Sequence, residues 1–423
     1  MQEDFIHYLW KFKKLSGFDL KTTSGESIVI KSLGTHNHHS GPDFFDCRVE
    51  IDGQLWAGNV EMHLRASDWY RHGHDDDPAY DNVILHVVWK HDAEITRRSE
   101  IEIPVLEVST YVSENLIVSY TTLFAHKNHQ FINCEKSLSQ VDDFLVRMWL
   151  EKVFIQRLEQ RYEHISSSLK VNENDWEATF FQMLARSFGT KVNADAFEEV
   201  ARSMEQSVVR KLASDAFQLE AALLGQAGLL ESDYHDHYFQ LLVKEFAFAK
   251  AKYRLQPIHS SLKFFRLRPA NYPTIRLSQL AMLYHHNPFL FAEIILAKTR
   301  EEIAPLFEVQ SASYWDSHHV FDKPAEMSQK QLTADFIDLV IINCIVPIKF
   351  AYAKSRGIEN VDELLDLMRG LKLEKNTITT GFKKLIDIQN ALESQAVLQL
   401  KPNYCDTNSC LSCDIGVQLM KAD

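Results

Sequence analysis

The sequence is short of the residues that make a chain loose, secreted or membrane-bound. Eleven prolines and fourteen glycines in 423 residues leave little room for a long flexible linker. Long apolar runs are missing too. The most apolar stretch, Leu339 to Val346, follows Asp335 and Asp338; it is too short to cross a bilayer and reads as a buried helix. The opening residues, Met1-Gln2-Glu3-Asp4, are acidic where a secretory leader is basic, so a cytoplasmic setting with no membrane partner is expected. Positive charge is in deficit, with 45 Lys and Arg against 58 Asp and Glu and a net charge of −13. That excludes a surface coated for indiscriminate nucleic-acid binding, but not a local basic groove for DNA or RNA. Cysteine is scarce as well, at six residues, and three of these crowd into nine positions, which argues against a disulfide framework.

What is present is the composition of a folded protein, 45% apolar and 24% charged, with length for two or three domains. Two textures divide it. Residues 1–135 read as a mixed α/β domain. Phe5, Leu9 and Phe12 predict a helix over Glu3–Leu15, and Ile28–Leu33 is a β-branched run. Phe45, Cys47, Val49 and Ile51 alternate with polar residues, and Asp52-Gly53 turns the chain into a second strand over Leu55–Leu64. Ser67-Asp68 can cap a short helix to about His72. Val83–Trp89 and Ile101–Val108 supply further strands. From Val141 onward the pattern is helical, opening with a stripe of Phe144, Met148, Ile155 and Leu158; Val208–Leu230 and Thr333–Ser355 are among the later stripes. Residues 136–400 are therefore expected to be all-α, and 401–423 form a cysteine-bearing segment.

The chemistry concentrates at Gly41-Pro42-Asp43-Phe44 and Val60-Glu61-Met62-His63. Glu61 and His63 are two apart on a predicted strand and so share a face, while Asp43 opens the neighbouring strand. Two carboxylates and an imidazole brought together suit a divalent ion, Mg²⁺ or Mn²⁺, able to activate water at a phosphate. His36, His38, His39, His72, His74 and His86 crowd the same region. The loop His72-Gly73-His74, with Asp75, Asp76 and Asp77 after it, offers further ligands or simply a solvated surface; His86 reads as a core histidine or a ligand.

This pattern resembles the PD-(D/E)XK nuclease superfamily, in which Pro-Asp on a hairpin is followed by Glu-X-Lys on the next strand. The resemblance implies a restriction-endonuclease-like domain with Asp43 and Glu61 as metal-binding carboxylates, assisted by Glu3 or Asp4 on the first helix. It departs at His63, where that superfamily has lysine: His63 is then a ligand, a general base, or the mark of a dead site. Arg65, on the same face, offers a displaced positive charge. The implied function is a metal-dependent nuclease or nuclease-derived phosphodiesterase; the alternative is an inactive nuclease-like scaffold that binds nucleic acid or protein.

Cys405-X4-Cys410-X2-Cys413 supplies three thiolates at metal-site spacing, for zinc or an iron–sulfur cluster. Cys134 is the expected fourth ligand, since Cys47 and Cys344 lie in apolar patterns. One cysteine ahead of three resembles the split iron–sulfur staple of some nucleases of that superfamily. Lys263, Arg266, Arg268 and Arg276, interleaved with apolar and aromatic residues, read as a phosphate-facing strip or a structural loop. Taken whole, the chain resembles an uncharacterised bacterial family known only as a domain of unknown function, on the stretches Gly41–Phe44, Val60–His63, Ser67–Trp69, Ile84–Val88, Arg266–Pro269 and the final cysteines.

Overall fold

The computed structural model describes residues 1–15, 18–37, 39–125 and 130–420. It divides into two compact units, Met1–Val146 with Lys401–Asp423, and Arg147–Leu400. The cysteine-bearing segment is thus not a third body but part of the α/β unit, and the helical unit begins later than residue 136.

In the α/β unit, α1 (Glu3–Lys11) buries Phe5, Ile6, Tyr8, Leu9 and Trp10. It stops short of Leu15 because Lys13 takes a left-handed conformation, φ 52°, which ends an α-helix. The sheet follows, from β1 (Ile28–Ser32), β2 (Thr35–His36), β3 (Phe44–Ile51), β4 (Gln54–Arg65), β5 (Val83–Lys90) and β6 (Val105–Glu107). Its order is β1-β3-β4-β5-β6, with β2 also on β3. As expected, Asp52-Gly53 closes an antiparallel β3–β4 hairpin, Ile51 facing Gln54. Strand β5 then runs parallel to β4, and β6 parallel to β5. The sheet is therefore mixed. Strand β6 is shorter than the expected Ile101–Val108 run because Pro104 has no N–H to extend the ladder; its carbonyl only accepts from the His86 N–H.

Between β4 and β5 lies a single turn of helix, α2 (Asp68–Arg71). Ser67 does not cap it: its hydroxyl and N–H go to Asp92, while Asp68 Oδ2 accepts from the Arg65 N–H. One face of the sheet packs Val60, Met62, Leu85 and Val87 against α1 and against Leu411, Val417 and Met420 of the segment after Leu400. The other face carries a smaller core of Ala66, Trp69, Tyr80, Val83 and Val88.

The second unit is largely helical. The opening helix Asp143–Val171 buries Val146, Trp149, Leu150, Val153 and Phe154 beside Leu158. Phe144 and Met148, read as its core stripe, are instead 72% and 52% exposed; the buried stripe lies on another face. The expected helix Val208–Leu230 is two, Gln206–Leu212 and Ala216–Gln226, the second capped by Asp215. A two-stranded hairpin, His318–Val320 with Lys323–Pro324, interrupts the region expected to be all-α. The stretch around Leu339–Val346 belongs to one continuous helix, Ala334–Ser355, whose most apolar window of 18 residues has a mean hydropathy of 1.8. By length and composition it is sufficient to cross a membrane, yet its most apolar window is 83% buried inside the protein.

Candidate metal centre

The β3–β4 pairing puts Phe44 opposite Val60, so Asp43 and Glu61 meet at the strand start. They lock together by crossed hydrogen bonds. The Asp43 N–H donates to Glu61 Oε2 at 3.0 Å, and the Met62 N–H donates to Asp43 Oδ2 at 2.9 Å. From α1, His7 Nε2 stands 3.2 Å from the same Oδ2. Burial, and then the nearby Asp43 charge, raise the pKa of Glu3, which places it in this acidic group. Burial with the Asp43 charge also pushes Glu61 up to about 9. Like charges this close in a low dielectric hold a proton or a cation between them.

On its other side Glu61 faces histidines. Its Oε1 lies 3.6 Å from His63 Nε2 and 3.4 Å from His74 Nε2. His63 Nε2 is in turn 3.0 Å from His72 Nδ1, and the ligand atoms of His63, His72 and His74 all lie within 4.8 Å of one another. Ligands ~2.1 Å from one ion in a tetrahedral shell stand about 3.4 Å apart, so the three imidazoles are near enough to be candidates for sharing one ion. Burial, then the neighbouring imidazoles, drive His63 down to about 3; it is a neutral, ligand-ready ring. His63 Nδ1 meets His86 Nε2 at 2.8 Å, a contact that fixes the orientation of the His63 ring. His86 is fully buried, and among the described residues its Nδ1 has no hydrogen-bond partner.

The sequence-derived residues Glu3, Asp43, Glu61 and His63 are thus brought together, and His72 and His74 join them from the loop after α2. His7 was not anticipated. The signal was present, because Glu3 and His7 are one helical turn apart and share a face of α1. His36 approaches His7 ring to ring at 5.2 Å; His39 is exposed, and His38 lies outside the described residues. Of the loop aspartates, Asp77 caps the turn at Pro78 through its contact with the Ala79 N–H. Arg65 is exposed at the end of β4.

The arginine strip needs correction. Arg266 and Arg268 are exposed, Arg266 lying over the Phe265 ring, and Lys263 is exposed with its backbone bound to Asn193. Arg276, however, is only 5% exposed. It donates to Gln279 and Asn271 and sits 3.6 Å from the Phe336 ring centre. It braces the helical unit rather than facing a phosphate.

A second centre is built of sulfur. Cys134, Cys405, Cys410 and Cys413 line one small cavity with Asn133, Tyr404 and Gly416, and none forms a disulfide. Asn133 Nδ2 donates to Cys410 Sγ at 3.5 Å. Burial first, and then the neighbouring sulfurs, push the Cys134 thiol up to about 12. Gly416 packs on the Cys410 carbonyl so closely that a Cβ would collide with it.

Compared with known proteins, residues 3–377 match the model of the family described as "Protein of unknown function (DUF2851)". The chain belongs to this family. No curated protein and no solved structure matches it. For this DUF2851 member, then, chemistry has to be argued from the two centres themselves.

Proposed function

We propose that this DUF2851 protein is a metal-dependent nuclease or nuclease-derived phosphodiesterase acting on DNA or RNA. The observation that carries the reading is the meeting of Asp43 and Glu61 with His63, His72 and His74. Three imidazoles beside a carboxylate favour a transition metal, Mn²⁺ or Zn²⁺, over the Mg²⁺ that carboxylates alone suggest. Such an ion supplies an activated water and neutralises charge on the phosphate. Glu61 bridges the histidines and Asp43; His63, fixed by His86, presents Nε2. His7, whose pKa is raised by Asp43 against the opposing effect of burial, is the group that donates a proton to the leaving oxygen. The order of helix, hairpin and parallel strand, with Glu3 on α1, supports a frame like that of PD-(D/E)XK nucleases. At the cysteine site four thiols line one cavity, a soft donor set that suits zinc or an iron–sulfur cluster.

The test is cleavage of single- and double-stranded DNA and RNA by purified protein with Mn²⁺, Zn²⁺ or Mg²⁺. Activity lost in Glu61→Ala supports the assignment; equal activity in both proteins removes it. A second reading rests on His63, which is uncharged where a lysine would be positive. On that reading the fold is a catalytically inactive scaffold binding nucleic acid or protein, and binding would persist without metal uptake at Glu61.

A further inference from the structure

The helical unit contains a cavity of about 860 Å³, within the size range of small-molecule sites. Arg157, Arg161, Arg186, Lys191 and His164 line it, against one carboxylate, Glu198. Arg186 is already committed, paired with Asp195 and Glu198. Arg157 and Arg161 are not. Arg157 donates to the amide oxygens of Gln395 and Gln399 at 3.1 and 3.3 Å. Arg161 donates to the Asn343 carbonyl and side-chain oxygens at 3.1 and 3.3 Å. Among the described residues neither guanidinium forms an ion pair. Burial, and then the Arg157 charge, pull Arg161 down to about 10, so it remains cationic at neutral pH. Two neighbouring buried cations, held by neutral oxygens and offset by the Glu374 charge, which pairs directly with neither, leave a site that an anion would complete.

We infer that this cavity binds a small phosphorylated ligand of nucleoside-phosphate size, its phosphate held by Arg157 and Arg161 and the rest of its body by the cavity walls. Planar guanidinium forks match phosphate oxygens two by two. The volume is far larger than a bare phosphate needs, and its walls combine apolar side chains such as Met183 and Leu339 with the amides of Gln160 and Gln182. That combination accepts a flat heterocycle with polar edges. The site lies wholly within the helical unit and does not depend on the metal chemistry proposed above.

Calorimetric titration of the full chain, with chelator present to silence the metal centre, tests it with AMP, ADP, inorganic phosphate and citrate. One saturable equivalent of AMP or ADP is expected, with phosphate weaker and citrate weakest. Arg161→Gln should weaken AMP binding at least tenfold, and Glu61→Ala should leave it unchanged. Lys191→Glu, at an exposed position, sets a carboxylate against the ligand without touching the packed guanidinium; it should also weaken AMP, and it keeps the test decisive if Arg161→Gln unfolds. No saturable binding of any phosphate, binding of citrate alone, or AMP affinity unaltered in both cavity variants would overturn the proposal.

Discussion

In the helical unit the buried Glu220 receives hydrogen bonds from the Trp315 indole N–H at 2.6 Å and the Tyr238 hydroxyl at 2.7 Å. Lys349, also buried, donates to the carbonyls of Ile294, Ile295 and Ala297. In the α/β unit the buried Glu61 instead faces another carboxylate and two imidazoles, and among the described residues His86 keeps a buried ring nitrogen without a partner. Both regions bury polar atoms. Glu220 and Lys349 are satisfied by their neighbours, as a stable interior requires; the cluster around Glu61 gathers acceptors and like charges, the arrangement for which a bound cation is proposed. The contrast separates buried charges matched by their neighbours from buried charges crowded against one another.

The sharpest break of that contrast is at Glu61. Glu61→Ala should reduce metal-dependent cleavage by about 10³-fold or more, measured as kcat/KM, and lower bound metal in elemental analysis. Glu61→Gln should lose metal equally while the metal-free protein melts no earlier, since the substitution removes the repulsion with Asp43. Next comes Glu220→Ala, which strands Trp315 and Tyr238 and should cost roughly 3 kcal/mol in denaturant unfolding, with metal content unchanged. Glu220 also gives a pH signature. Burial raises its pKa above the ordinary 4.5, so the folded state favours the protonated form. Stability from this group is complete below about 4.5 and falls as pH rises toward the raised value; Glu220→Gln should flatten that decline in thermal midpoints. Gly416→Ala should displace the Cys410 turn and lower the zinc or iron found in anaerobically purified protein by elemental analysis. Smallest of all, Phe144→Ser should move stability by no more than about 0.5 kcal/mol; a larger loss would return Phe144 to a core role.

The hairpin, the pairing of Asp43 with Glu61 and the placement of His63 were legible because they follow from period-two alternation and a two-residue turn. His72 and His74 were visible only as loop residues, since nothing local says which way a loop folds back. His7 was hidden because the first helix was read for its apolar stripe and its opening carboxylates, Glu3 and Asp4, and not for the residue one turn further on. Arg276 was misread because alternation with aromatics describes a basic surface and a buried cation–π brace equally well. Phe144 and Met148 failed for a related reason: a helix with apolar residues on several faces does not announce which face is covered. The early end of α1 turned on the single backbone angle of Lys13, which no periodicity records.

Leu411, Val417 and Met420 share a core with Phe5, Leu9 and Val60, though the whole helical unit separates them in the chain. On the ribosome this has a plain consequence. The usual order, in which the domain made first folds first, cannot hold here. The nascent α/β unit must wait, its apolar core covered by α1 but lacking Leu411, Val417 and Met420, while Arg147–Leu400 is synthesised. The cysteine loop arrives with the strip that packs on that face, so the four thiols meet only after Arg147–Leu400 has been made.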